Sequence, residues 1–119
     1  MVKAIVLTLL ATLMFAMPAA ACGTMQKADP KVGSIVQSPS RVQLTFSEAV
    51  VPDSSTVNIT DEAGRTVPVG RAMASSGDTV LSVTTPSLAP GKYKVRWDVL
   101  WLDCHMRTSG DYKFTVQSQ

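Results

Sequence analysis

The chain has only one histidine and two cysteines among its 119 residues. A single histidine rules out a two-histidine metal clamp or a histidine-rich hydrolase site. No Gly-x-Ser-x-Gly turn presents a serine nucleophile, and no glycine-rich loop is placed to cradle phosphate. Aromatic residues make up 6% of the chain, with no basic stripe interleaved among them, which argues against a nucleic-acid partner. Charge is sparse and nearly balanced, with 11 Lys and Arg against 9 Asp and Glu. There is no sustained helical period, internal repeat or long linker. These absences point away from catalysis and towards one small binding or interaction domain.

What is present begins with an export signal. Lys3 precedes an apolar run from Ala4 to Met17, which Pro18 breaks and Ala19, Ala20 and Ala21 close. A basic start, an apolar centre and a small-residue cleavage site are the three parts of a secretory leader. The run is shorter than the roughly 20 apolar residues that cross a bilayer, and no later stretch is long enough to span one. The expected organisation is a signal peptide over residues 1–21, an N-terminal extension over 22–30 and one domain over 31–119. Cleavage after Ala21 makes Cys22 the first mature residue. Lipidation of Cys22 stays open, although Ala19 stands where a lipobox usually carries Leu.

Exported proteins meet oxidising conditions, where two cysteines pair by default. A Cys22–Cys104 bridge would close nearly the whole mature chain.

Apolar residues alternate with polar ones along most of that chain. Val42, Leu44 and Phe46 form one such set, and Val57 and Ile59 a second. Val80 to Thr85 is a β-branched run. Tyr93, Val95, Trp97 and Val99 give the cleanest pattern, and Tyr112, Phe114 and Val116 end it. Arg65 to Gly70 reads as a short edge strand because Pro68 interrupts it. Alternation with period two puts one face of a strand in a core and the other in water. Turn residues recur about every ten positions, so the pattern predicts an all-β antiparallel sandwich.

One segment carries chemistry: Trp101-Leu102-Asp103-Cys104-His105-Met106. On an extended stretch Asp103 and His105 would share a face, a carboxylate and an imidazole suited to Cu(II) or Zn(II). Cys104 and Met106 would share the other face, where soft sulfurs suit Cu(I). If the segment bends, all four could converge. Trp97 is expected in the core, whereas Trp101 is left undecided between core and docking surface.

The run Gly91-Lys92-Tyr93-Lys94-Val95-Arg96-Trp97, then Asp103-Cys104-His105, then Gly110 to Val116, resembles the C-terminal half of the CopC copper-resistance proteins. Asp29-Pro30-Lys31-Val32 looks like the start of such a domain, and Leu44 to Glu48 like its Phe-Ser-Glu strand. The similarity covers residues 29–117. It implies a seven-stranded, immunoglobulin-like Greek-key sandwich in the periplasm. The implied role is non-enzymatic: a copper carrier or buffer in copper homeostasis and resistance, whose partners are the ion and a copper-transporting membrane protein.

Family members hold Cu(II) with an N-terminal histidine and the Asp-x-His pair, so Asp103 and His105 match two ligands. The place of the N-terminal histidine falls at Asp29 in this reading, with an extension before it that carries Cys22 and Met25. An extra residue lies between His105 and Gly110, and residues 49–58 contain no Met or His. If the domain start lies beside the Asp-x-His motif, Cys22 reaches Cys104. Oxidised, the pair is a staple; reduced, it is a soft site with His105 and Met25 or Met106. The rival reading is a disulfide-stapled CopC-like interaction module without high-affinity copper binding.

Overall fold

The computed structural model describes residues 22–118. The export leader expected over residues 1–21 lies outside the described residues. Among the described residues there are nine strands: β1 Met25–Asp29, β2 Ile35–Val36, β3 Arg41–Phe46, β4 Thr56–Asp61, β5 Thr66–Val67, β6 Met73–Ser75, β7 Val80–Thr84, β8 Gly91–Leu100 and β9 Arg107–Val116. Strands β2 and β5 are two residues each, and the other seven are three residues or longer.

Four strands form one sheet in the order β1-β3-β7-β6, and five form the other in the order β2-β9-β8-β4-β5. Every pairing is antiparallel except the short parallel contact of β2 with β9. The chain passes repeatedly from one sheet to the other, from β3 to β4, from β5 to β6 and from β7 to β8. The immunoglobulin-like sandwich expected from the sequence is the fold observed.

The alternating residues meet between the sheets. Val42, Leu44 and Phe46 of β3 and Leu81 and Val83 of β7 face Val57 and Ile59 of β4, Tyr93, Val95 and Val99 of β8, and Tyr112, Phe114 and Val116 of β9; all are buried. Removing that apolar surface from water drives the sheets together, at about 25 cal/mol per Å². Trp97 is only half-buried but packs on this core, edge to face with Phe46 at 5.6 Å between ring centroids. Trp101 settles as core, with 0% of its surface exposed. Residues 25–29, expected within an extension, form β1 and send Ala28 into the core. Strand β5 is an edge strand ending just before Pro68, as that proline requires.

The turn after β4 is organised by Asp61. Its Oδ1 accepts the backbone N–H groups of Ala63 and Arg65, each at 2.9 Å, and Gly64 supplies the left-handed residue with φ 79°. Such local bonding is the turn chemistry of aspartate. The Arg65 backbone N–H is the main reason the carboxyl stays ionised to lower pH than usual.

Tyr112 is less well served. Its hydroxyl is buried without a hydrogen-bond partner. Burial first, and the charge of Asp29 second, push the phenol well above its ordinary value of 10.0. Above that pH the unfolded chain releases the proton while the folded chain keeps it. The contribution of Tyr112 to stability is therefore constant below pH 10.0 and falls as the pH rises beyond it. A Tyr112→Phe variant should be as stable as the parent at neutral pH, or more stable by up to about 1 kcal/mol. Its denaturation midpoint should lose most of the alkaline dependence; a variant with the parent's full alkaline slope would contradict this assignment.

Candidate metal centre

Strands β8 and β9 form a hairpin in continuous register from Gly91 opposite Val116 to Leu100 opposite Arg107. The chemistry-bearing segment 101–106 is the turn that joins them. It is bent rather than extended, so Asp103 and His105 are not ordered by strand alternation. Trp101 donates its backbone N–H to the Met106 carbonyl at 2.9 Å, and His105 donates its own back to the Trp101 carbonyl at 3.1 Å. These bonds close the turn on itself. His105 has φ 57°, a left-handed conformation that His, Asn and Asp adopt more readily than other non-glycine residues.

A second set of contacts fixes the turn to the β3–β4 connection and to Phe46 of the other sheet. Leu102 donates to the Ala49 carbonyl, Val51 donates to the Leu100 carbonyl, and Val50 bridges Trp101. The Trp101 indole lies edge to face against Phe46 at 5.7 Å and donates its Nε1–H to Thr108 Oγ1 at 3.0 Å. Arg107 pairs with Asp98 at 2.6 Å and donates to the Ser54 carbonyl at 2.8 Å. Asp103, His105 and Met106 are exposed on this fixed base.

The N-terminal segment reaches the same place. Cys22 is bonded to Cys104, with Cα atoms 6.3 Å apart and a sequence separation of 82. Gly23 passes directly over the Trp101 indole, where a Cβ would stand 2.6 Å from the ring. Only glycine lets the backbone lie that close. Thr24 then exchanges bonds with Ser47, donating to its Oγ at 2.9 Å and accepting its backbone N–H at 2.9 Å.

The residues singled out in the sequence therefore divide. Asp103, Cys104, His105 and Met106 share the turn, and Cys22 joins them through the disulfide. Met25 begins β1 opposite Phe46 and packs against the core. Asp29 ends β1, about 13 Å further along the strand at the usual rise per residue, where its charge acts on Tyr112. The place beside the Asp-x-His turn, assigned in the sequence to Asp29, is held by Cys22. The bulge between Met25 and Lys27 and the β1–β3 register set that placement.

In the oxidised chain neither cysteine has a thiolate to offer, because each sulfur is bonded to the other. A Cys22 sulfur held in this bond also cannot carry a lipid thioether. Asp103 and His105 remain as the exposed oxygen and nitrogen donors. Among the described residues no group of three or more His, Cys, Asp and Glu side chains is gathered as a ready-made metal cage, and no helix is long and apolar enough to cross a membrane. What the turn carries is one exposed carboxylate and one exposed imidazole, donor types suited to a borderline cation.

Comparison with known proteins agrees with this architecture. The model of the CopC domain matches residues 25–117. Protein YobA of Escherichia coli is 33% identical over 86 residues, spanning 70% of this chain and 68% of YobA. The crystal structure of CopC from Methylosinus trichosporium superposes with a TM-score of 0.75 at 33% identity, covering 80% of this chain and 93% of that one. PcoC, a methionine-rich copper resistance protein from Escherichia coli, has a TM-score of 0.71 at 24% identity, covering 82% and 100%, and shares the fold. With the domain model spanning the whole sandwich and the Asp-x-His turn at the tip of its longest hairpin, this chain belongs to the CopC family.

Proposed function

We propose that this protein binds copper in the periplasm and acts as a carrier or buffer, without catalysing a reaction, and that Asp103 and His105 are its Cu(II) ligands. The observation that carries the reading is the placement of both residues, exposed, on a turn tied down by backbone bonds, the buried Trp101 and the Cys22–Cys104 bridge. Holding donors on a rigid base lowers the ordering cost of binding. Membership of the CopC family, and the likeness in fold to PcoC, a copper resistance protein, support copper as the cargo. Imidazole and carboxylate suit Cu(II) among the first-row metals. Should the leader be cut after Ala21, the α-amine of Cys22 becomes a third donor beside the same turn.

Oxidised mature protein would be titrated with Cu(II), following quenching of tryptophan fluorescence, since Trp101 underlies the turn. Saturable binding of one ion, weakened by at least about tenfold in His105→Asn, is the expected result for loss of one imidazole ligand, a change of about 1.4 kcal/mol. Asn keeps the left-handed backbone accessible, so the comparison isolates the imidazole. Absence of saturable binding would favour the stapled interaction module instead. Binding unaffected by His105→Asn would overturn the ligand assignment.

A further inference from the structure

We infer that Cys22, Cys104 and His105 form a second, sulfur-rich metal site, specific for Cu(I), which opens when a dithiol reduces the Cys22–Cys104 disulfide. The inference builds on the copper reading above but concerns a different oxidation state and a different donor set.

The two sulfurs keep their places after the bond is broken. Cys22 does not depend on the disulfide alone for its position. One residue on, Gly23 lies against Trp101, and two residues on, Thr24 exchanges two hydrogen bonds with Ser47. Cys104 sits in a turn closed by the Trp101–Met106 and His105–Trp101 backbone bonds and anchored to Ala49. Neither set of contacts involves sulfur. With Cα atoms 6.3 Å apart, the two thiols stay neighbours, and His105 follows Cys104 directly in the chain. Two thiolates and an imidazole are a soft donor set, which favours Cu(I) over harder ions. Met106, 46% exposed on the same turn, adds a thioether within the segment.

The site is also reachable. Both cysteines are half-buried, at the outer end of the sandwich rather than within its core. A thiolate of the reductant attacks one sulfur of the bond and forms a mixed disulfide, which its second thiol resolves. Two electrons and two protons pass to Cys22 and Cys104, and the reductant leaves as its own disulfide. Cu(I) then displaces the thiol protons as it binds. Because Cu(I) binds the dithiol state and not the disulfide, it draws the pair towards reduction. Free Cu(I) a thousandfold above its dissociation constant contributes about 4.1 kcal/mol in that direction.

The test uses the mature chain, reduced with a phosphine that is then removed, and compares it with the oxidised chain and with Cys22→Ser and Cys104→Ser variants. Cu(I) is supplied as its bicinchoninate complex, so transfer to protein is read as loss of colour, and free thiols are counted with a disulfide dye. The reduced parent should take one Cu(I) from the chelator, and its two reactive thiols should disappear on binding. Oxidised parent and both serine variants should leave the copper with the chelator. The tryptophan bands in the near-UV circular dichroism of the reduced parent should match those of the oxidised protein. Equal uptake by the serine variants, preference of the reduced parent for Zn(II), or loss of the near-UV signal on reduction would each overturn the inference. Cu(II) binding by the oxidised protein tests the proposed function separately, so either reading can fail without the other.

Discussion

Cys104→Ser, or reduction of the parent, should lower the stability of the fold by about 4–5 kcal/mol while leaving the sandwich assembled. The bridge joins residues 82 apart, so it restricts nearly the whole described chain in its unfolded state. In the chain-entropy model a loop of that length contributes about 4–5 kcal/mol. Small domains have only about 5–15 kcal/mol in total, so this one bond accounts for a large share. The fold should still survive, because the core between the sheets, from Val42 to Val116, is complete without either sulfur. Denaturant titration of the oxidised, reduced and Cys104→Ser forms would show this as a lower midpoint with cooperativity retained. A midpoint unchanged by reduction would mean that the unfolded chain is already compact enough for the bridge to matter little. Complete unfolding on reduction would mean the two sheets cannot hold together alone.

Trp101→Ala should cost about 3–5 kcal/mol, the range for removing a large buried aromatic. The residue is fully buried, packs edge to face on Phe46 and lies beneath Gly23. Its Nε1–H satisfies Thr108 Oγ1, so truncation also leaves that hydroxyl without its partner. The second effect falls on the proposed metal site. With the indole gone, both the Asp103–His105 turn and the Cys22 segment lose the surface they rest on. Cu(II) affinity should therefore drop although Trp101 provides no ligand atom. Trp101→Phe keeps an aromatic floor and should show smaller losses in both measurements. Unchanged copper affinity in a folded Trp101→Ala protein would separate the turn's geometry from the packing beneath it.

How far the sequence could be read depended on how each strand is buried. Strands β3, β4, β7, β8 and β9 each bury one face, and alternation made them visible. Strand β1 escaped notice because Met25-Gln26-Lys27-Ala28-Asp29 has a bulge and buries only Ala28 deeply. Strands β2 and β6 are short edge elements of two and three residues, too brief to show a period. Trp101 was legible in retrospect, since Trp97, Val99 and Trp101 continue the period-two set of β8. The first four positions of β9, from Arg107 to Gly110, carry no large apolar side chain, so alternation does not mark them as strand.

At the candidate metal centre, residue types were legible and geometry was not. Cysteine number and export predicted the disulfide, and the Asp-x-His pair marked the turn. What the linear sequence could not give was the antiparallel run of β1 along β3, which carries Asp29 away from that turn and brings Cys22 to it. The signal that could have shown this is Gly23. A glycine beside the first cysteine allows the chain to cross a tryptophan face, and nothing in the local sequence says which tryptophan.

The central claim is that the Asp103–His105 turn, stapled to Cys22, holds the copper ion. Nuclear magnetic resonance of uniformly labelled, oxidised mature protein with substoichiometric Cu(II) tests it most directly, because a paramagnetic ion broadens the amide signals around it. The account predicts selective loss of signals from residues 102–106 and 22–24, with those of Asp29, Tyr112 and the β4–β5 turn retained. Broadening centred on Asp61 and Glu62, or spread evenly over the acidic surface, would contradict it.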